Sequence, residues 1–323
     1  MERVVKVDLG PRSYEVRVAP GLLGRLGPTA AALGNVSSAA VISDARVAGL
    51  YGRRAIDSLT GAGLAAALLE FPPGEENKTL ATCQALYETL FALEPAIDRG
   101  TLIVALGGGV TGDLAGFVAA TALRGLRWLQ CPTTMLADVD ASVGGKTGLD
   151  SPAGKNLIGA IHQPKGVLID VEALKTLDDD QLSSGLAECV KHAIIRDAAL
   201  LDFLEDNAEA IFARDDPVMT ELIACNVGIK AAVVSSDERE SGERAHLNFG
   251  HTVGHAIETA LGYGTISHGA AVSLGMVAAC RLAASRGLIE QDLCRRVEAL
   301  LARLRLPVRQ PGLDGRGLAD HAA

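Results

Sequence analysis

The sequence predicts an α/β half with a mainly parallel sheet, residues 1–178, followed by an all-α half, residues 179–323. Three observations carry this. Short β-rich runs alternate with alanine- and leucine-rich stretches up to Asp178. Beyond it, apolar residues recur only at helical spacing. The run TLIVALGGGVTGDLAGF joins a buried strand to a helix through glycines, as crossover βαβ units require. In order, MERVVKVDLG, YEVRV, AAVISD, TLIVALGGG, LRWLQCP and GVLIDV are expected strands, bounded by Gly, Pro and Asp. Helices over 79–93 and 113–122 fall between them. LKTLDDDQ is the expected hinge, and helices follow over 181–196, 217–235, 248–261, 268–286 and 291–304.

Composition narrows the function. A net charge of −9 advertises no basic face, which excludes nucleic-acid binding through bulk electrostatics. An anionic ligand must therefore meet a locally assembled positive pocket. Only eight lysines occur, and five of them, Lys78, Lys146, Lys155, Lys191 and Lys230, lie in or beside the motifs below. Six scattered cysteines form no C-x-x-C pair and read as free thiols of a reducing compartment. The charged N-terminus has no signal-peptide core, and no 18-residue apolar span is counted, so a cytoplasmic protein without a membrane partner is expected.

DVDASVGGKTGLDSPAGKN contains GGKT, the ending of a phosphate-binding loop. Such a loop needs glycine where this chain has Asp140, whose carboxylate would repel phosphates, so an ATPase reading fails. Gly107, Gly109 and Gly112 form G-x-G-x-x-G between a strand and a helix, the context in which backbone N–H groups receive a pyrophosphate. A ligand-free tight turn explains the same glycines. No acidic residue lies between Asp113 and Asp138 to hold a ribose, which leaves Asp44, ending VISD, as the better ribose candidate. Glu75 and Lys78 in PGEENKT add a charged pair that a solvated loop explains equally well.

In the second half, SGLAECVKHAII sets Glu188 three residues before Lys191, an ordinary salt-bridge spacing. NFGHTVGHAIE and ISHGAAV bring His251, His255 and His268 within eighteen positions on apolar helices, a metal-site pattern that Glu188 would complete. Helical spacing alone pairs His251 with His255, as in zinc proteases, but Thr252 stands where that chemistry needs a glutamate base. Glu240, Arg244 and Asn248 step by four toward His255, so a helix beginning near Arg244 would line the site with polar groups.

Taken in order, GGGVTGD, TALRG with CPTT, DVDASVGGKT, GKN, SGLAECVKH, DERESGER, LNFGHTVGHAIE and HGAAV resemble the 3-dehydroquinate synthase family of sugar-phosphate cyclases over residues 40–290. The resemblance implies an NAD+- and divalent-metal-dependent lyase of the shikimate pathway, with Zn2+ or Co2+. It would turn 3-deoxy-D-arabino-heptulosonate 7-phosphate, a phosphorylated keto acid, into 3-dehydroquinate and phosphate with no net redox change, and a homodimer is expected. It implies metal ligands Glu188, His251 and His268. Lys146, Asn156, Lys191, Lys230, Glu240, Arg244, Asn248 and His255 match substrate positions, with Asp140 beside them and Arg124 as a phosphate-binding arginine near the dimer interface. Asp44, the loop Pro73, Gly74, Glu75, Glu76, Asn77 and Lys78, the turn Gly108, Gly109, Val110, Thr111, Gly112 and Asp113, then Thr133, Thr134, Lys146, Lys155 and the segment Ala173, Leu174, Lys175 and Thr176 match cofactor contacts.

Two departures from the family pattern stand out. HGAAV has Ala270 where the family has glutamate, so a hydrogen bond behind the metal is expected to be missing. The last segment, GLDGRGLADHAA, is short for the family and holds no lysine, which leaves two expectations: a truncated chain, or a site short of one cation with activity reduced. Three alternatives stand beside the main reading: a related cyclase, a metal-dependent polyol dehydrogenase and a catalytically impaired binding protein.

Overall fold

The computed structural model describes residues 1–238, 242–262 and 264–312. Its strands are β1 (Arg3–Val7), β2 (Tyr14–Ala19), β3 (Ser38–Asp44), β4 (Ala65–Phe71), β5 (Leu102–Gly107), β6 (Arg127–Pro132), β7 (Lys146–Ser151), β8 (Gly154–Ile161) and β9 (Val167–Asp170). Helices α1 (Leu26–Ala32), α2 (Ala45–Val47), α3 (Arg53–Gly61), α4 (Leu80–Phe91) and α5 (Gly109–Thr121) fall among them. Then come α6 (Asp179–Arg196), α7 (Ala198–Phe212), α8 (Asp216–Ser236), α9 (His251–Leu261), α10 (His268–Ser285) and α11 (Gln291–Arg303). Seven strands make one sheet, ordered β1-β2-β9-β6-β5-β3-β4 and parallel except for the β1–β2 pair.

Strand periodicity sorts the two faces. Ala40, Ile42, Ile103 and Ala105 meet Leu86 and Leu90 of α4 and Leu114 of α5, while Ala39, Val41, Leu102 and Val104 meet Leu26 of α1 and Leu59 of α3. With both faces covered, these strands read as continuous apolar runs, which is why the sequence displays them. β4, AAALLEF, is an edge strand poor in β-branched residues and escapes that reading. The GGKT to GKN stretch forms the antiparallel hairpin β7–β8. Gly144 and Gly145, with φ of 113° and 63°, swing the chain into it.

The helical half also gains α7, which the sequence reading did not place. LKTLDDDQ, residues 174–181, runs from the end of a 3-10 turn, Val171–Thr176, into the start of α6, which the Asp178 side chain caps by accepting from the Gln181 N–H. The largest apolar core crosses this junction: Val16, Val18, Val167 and Ile169 of the sheet pack with Leu186 and Val190 of α6 and Val227 and Val234 of α8. By length and composition α8 could cross a membrane, a span that the sequence reading did not count. Yet 61% of its apolar window is buried inside the protein, and Asn226 and Lys230 lie buried on it, as on a core helix. All six cysteines are free thiols.

Candidate active site

The carboxyl ends of β3, β4, β5 and β6 open into a cavity of about 570 Å³. Open parallel sheets bind ligands at such a crevice. Asp44, Pro73, Gly74, Glu75, Gly108, Gly109, Val110, Thr111, Thr133, Thr134 and Thr176 line it, as the cofactor assignments expect. Gly109 opens α5, so the first N–H groups and the positive end of that helix lie at the cavity. Gly112 is buried, and a Cβ there would sit 2.6 Å from Gln130 Nε2, so this glycine serves the packing of α5 on β6. Asp44 Oδ1 accepts from the N–H groups of Arg46 and Val47, which fixes the carboxylate at the end of β3.

Other expected cofactor residues lie elsewhere. Ala173 and Leu174 are buried in the core, and Lys175 pairs with Asp216 at 2.8 Å. Glu76 and Asn77 belong to the same loop as Gly74 but do not line the cavity, and exposed Lys155 lies 3.6 Å from Glu75. Lys78 is buried and bridges Asp113 Oδ2 and Asn156 Oδ1, both at 2.5 Å, so it ties the hairpin to α5.

A second cavity, of about 640 Å³, shares α5 as a wall: Val110 and Thr111 line the first and Asp113 the second. Lys146, Asn156, Lys191, Lys230, Arg244, Asn248, Asp140 and His251 line it as well. Four cations thus gather in one hollow of a chain whose net charge is −9. Lys230 donates to Asp140 Oδ1 at 2.6 Å, and buried Lys191 donates to buried Glu188. Burial pushes the Asp140 carboxyl up, but Lys230 and Lys191 outweigh it and hold this group well below the carboxylate range. For Lys230 burial wins and lowers the ammonium below its ordinary value. Arg244 and Asn248 lie in a short 3-10 turn, Glu243–Asn248, and α9 begins only at His251. The expected continuous helix from Arg244 is therefore absent there, and Glu240 lies outside the described residues. Exposed Arg124 lines neither cavity.

Beside this hollow, Glu188 Oε1 is buried without a hydrogen-bond partner. It lies 3.6 Å from His251 Nε2 and 3.8 Å from His268 Nε2. Ligands of one tetrahedral zinc, bound at about 2.0–2.2 Å, sit about 3.4 Å apart, so the three atoms surround a cation position with little closure. His255, on the same helix, is exposed, its ring centroid 5.4 Å from that of His251. The expected trio thus comes together, while His255 falls in a second group with Glu258 and His268. Glu258 Oε1 stands 3.5 Å from His268 Nδ1, so an acceptor absent at Ala270 is present on the facing helix.

Residues 68–184 match the family model for the 3-dehydroquinate synthase N-terminal region and residues 185–322 that for its C-terminal region. The chain is 50% identical over 305 residues to the 3-dehydroquinate synthase of Geobacter metallireducens, covering 94% of this chain and 84% of that protein. This chain belongs to the 3-dehydroquinate synthase family. Among solved structures it resembles 2-deoxy-scyllo-inosose synthase complexed with carbaglucose-6-phosphate, NAD+ and Co2+, at TM-score 0.87 and 27% identity over 99% of this chain and 86% of that one. It also resembles 2-epi-5-epi-valiolone synthase from Streptomyces hygroscopicus subsp. jinggangensis with NAD+ and Zn2+ bound, at TM-score 0.85 and 30% identity over 99% of this chain and 88% of that one. The family requires NAD+ and a divalent metal, and the two cavities and the donor trio accommodate them.

Sequence reasoning missed Tyr51, Gln181 and Ser184, which also line the first cavity. Tyr51 donates to the Ala173 carbonyl at 3.0 Å and meets Thr176 Oγ1 at 2.6 Å, which links the 3-10 turn to the end of the sheet. No local pattern signals a contact between residues 122 apart. Glu258 stood in the quoted motif NFGHTVGHAIE without a role.

Proposed function

We propose that the four cations and the carboxylate–bis-histidine trio, set across α5 from the nucleotide cavity, make this chain a working 3-dehydroquinate synthase. The observation that carries the reading is this juxtaposition on one helix: α5 presents its N-terminus to one cavity and Asp113 to the neighbouring cationic hollow. A phosphorylated keto acid brings a phosphate and a carboxylate, and Lys146, Lys191, Lys230 and Arg244 supply charge-assisted donors for both. Asp140 fixes the Lys230 ammonium in place. Asn156 and Asn248 offer amide groups that orient hydroxyls, and holding one flexible substrate through several steps is the main task of the hollow.

Glu188, His251 and His268 would hold the divalent metal; Asp44 and the turn from Gly108 to Thr111 would hold NAD+. When bound, NAD+ supplies reversible hydride acceptance and the metal supplies Lewis-acid polarisation. His255, exposed one turn from His251, would bond substrate or relay a proton in this reading. In this reading the first 178 residues present the nucleotide and the remainder the metal. A homodimer with Arg124 contributed at the interface completes the proposal, supported by the exposure of Leu123 and Arg124.

Phosphate release tests the reading. Release from 3-deoxy-D-arabino-heptulosonate 7-phosphate is expected only with both NAD+ and Zn2+ or Co2+. Release from glucose 6-phosphate but not from the seven-carbon acid would instead assign the chain to a different cyclase.

A further inference from the structure

His268 has a carboxylate on each side of its ring. Its Nε2 lies 3.8 Å from Glu188 Oε1, and its Nδ1 lies 3.5 Å from Oε1 of Glu258, a glutamate only 13% exposed in its side chain. His251, His255 and Glu258 occupy positions i, i+4 and i+7 of α9, so one face of this helix presents all three toward the start of α10. Ala270, on α10 itself, has no acceptor to offer the imidazole.

Two groups of donors share His268: Glu188, His251 and His268, and His255, Glu258 and His268. A neutral imidazole has one lone pair, so it ligates through one nitrogen while the other carries the proton. Buried, unpartnered Glu188 Oε1 marks the Nε2 side as the cation side. Nδ1 then bears the hydrogen, and Glu258 is the carboxylate within reach to accept it. We infer that Glu258 is a positioning residue for the metal, fixing the tautomer and ring orientation of His268 from the facing helix. Outer carboxylates on ligating histidines act in this way, raising the basicity of the metal-bound nitrogen. The inference rests on the assignment of Glu188, His251 and His268 as the ligand set.

The test is metal affinity, measured by competition between the purified protein and a chelator for Zn2+ and Co2+, with the visible spectrum of the Co2+ form alongside. Glu258→Ala is expected to weaken binding by about 10- to 100-fold and to shift the Co2+ spectrum, at one ion per chain throughout. Glu258→Gln, which keeps an acceptor oxygen, should recover most of the affinity. Glu258→Leu keeps the volume without the acceptor and replaces the alanine variant if that fails to fold. Unchanged affinity in both acceptor-free variants overturns the inference. So does a fall from two ions to one, which would make Glu258 a ligand of a second site. His251→Ala is the separate control: if it retains its ion, the ligand set itself is wrong, whereas lost metal there with unchanged affinity in the Glu258 variants sinks the positioning role alone.

Discussion

Gly269→Ala should uncouple the metal site without touching a ligand. A Cβ at Gly269 would sit 2.1 Å from the Ser184 carbonyl oxygen and 2.4 Å from its Cα, both backbone atoms of α6 one turn before Glu188. The Gly269 N–H also donates to Ser184 Oγ at 3.0 Å, so α10 begins directly on α6. Opening the carbonyl contact from 2.1 Å to the 3.0 Å below which Cβ atoms essentially never sit moves α10 back by at least about 0.9 Å. Carried to His268 along the line to Glu188, that shift stretches their 3.8 Å separation to as much as about 4.7 Å. Two metal bonds of about 2.1 Å span at most about 4.2 Å, so one ion can no longer reach both. Metal affinity should fall by more than about 100-fold, and kcat/KM by about 100-fold or more at fixed metal. Overpacking should also cost about 1–3 kcal/mol of stability. Chelator competition and phosphate release measure the first two, with Gly228→Ala as control because a Cβ there meets nothing within 4 Å. A Gly269→Ala protein with parental metal affinity and turnover would refute the geometric argument.

Two further outcomes follow from the helical half. His251→Ala and His268→Ala should each purify without metal, whereas His255→Ala should keep one ion per chain and lose turnover; metal analysis of the three variants decides it. In the metal-free protein, His192 is buried with Nδ1 on Asn226 Oδ1 at 3.0 Å and Nε2 unpartnered, and burial pushes its pKa down to about 4. Because the folded value lies below the ordinary 6.5, its stabilising contribution is full above about pH 6.5 and is lost as pH falls toward 4, up to about 3 kcal/mol. Urea midpoints of the parent between pH 7 and 4 should therefore fall more steeply than those of His192→Gln. Parallel pH profiles would contradict the neutral-histidine assignment.

What the sequence displayed follows from burial. β3, β5 and β6 are apolar on both faces and legible, while β4, built from alanine and leucine at the edge, carries no strand signal. β8, GKNLIGAI, is largely exposed and Gly-interrupted, so only its pairing with β7 defines it. Histidine spacing pointed to a metal, but Glu188 comes from a distant helix, and only the family resemblance chose His268 over His255 to complete the set. Lys78 shows the limit in the other direction. It looked like a loop residue meeting a cofactor, yet it is buried between Asp113 and an asparagine 78 positions away, a contact that no local pattern encodes.

The redox balance of one reaction separates a cyclase from a dehydrogenase. With the seven-carbon substrate, Zn2+ and NAD+ present below the substrate concentration, phosphate and NADH should be followed in the same cuvette. Phosphate is predicted to accumulate in large excess over NAD+ while NADH stays near its starting level, since a hydride taken within a turnover is given back. NADH accumulating one for one with turnover would contradict the cyclase reading and identify a dehydrogenase.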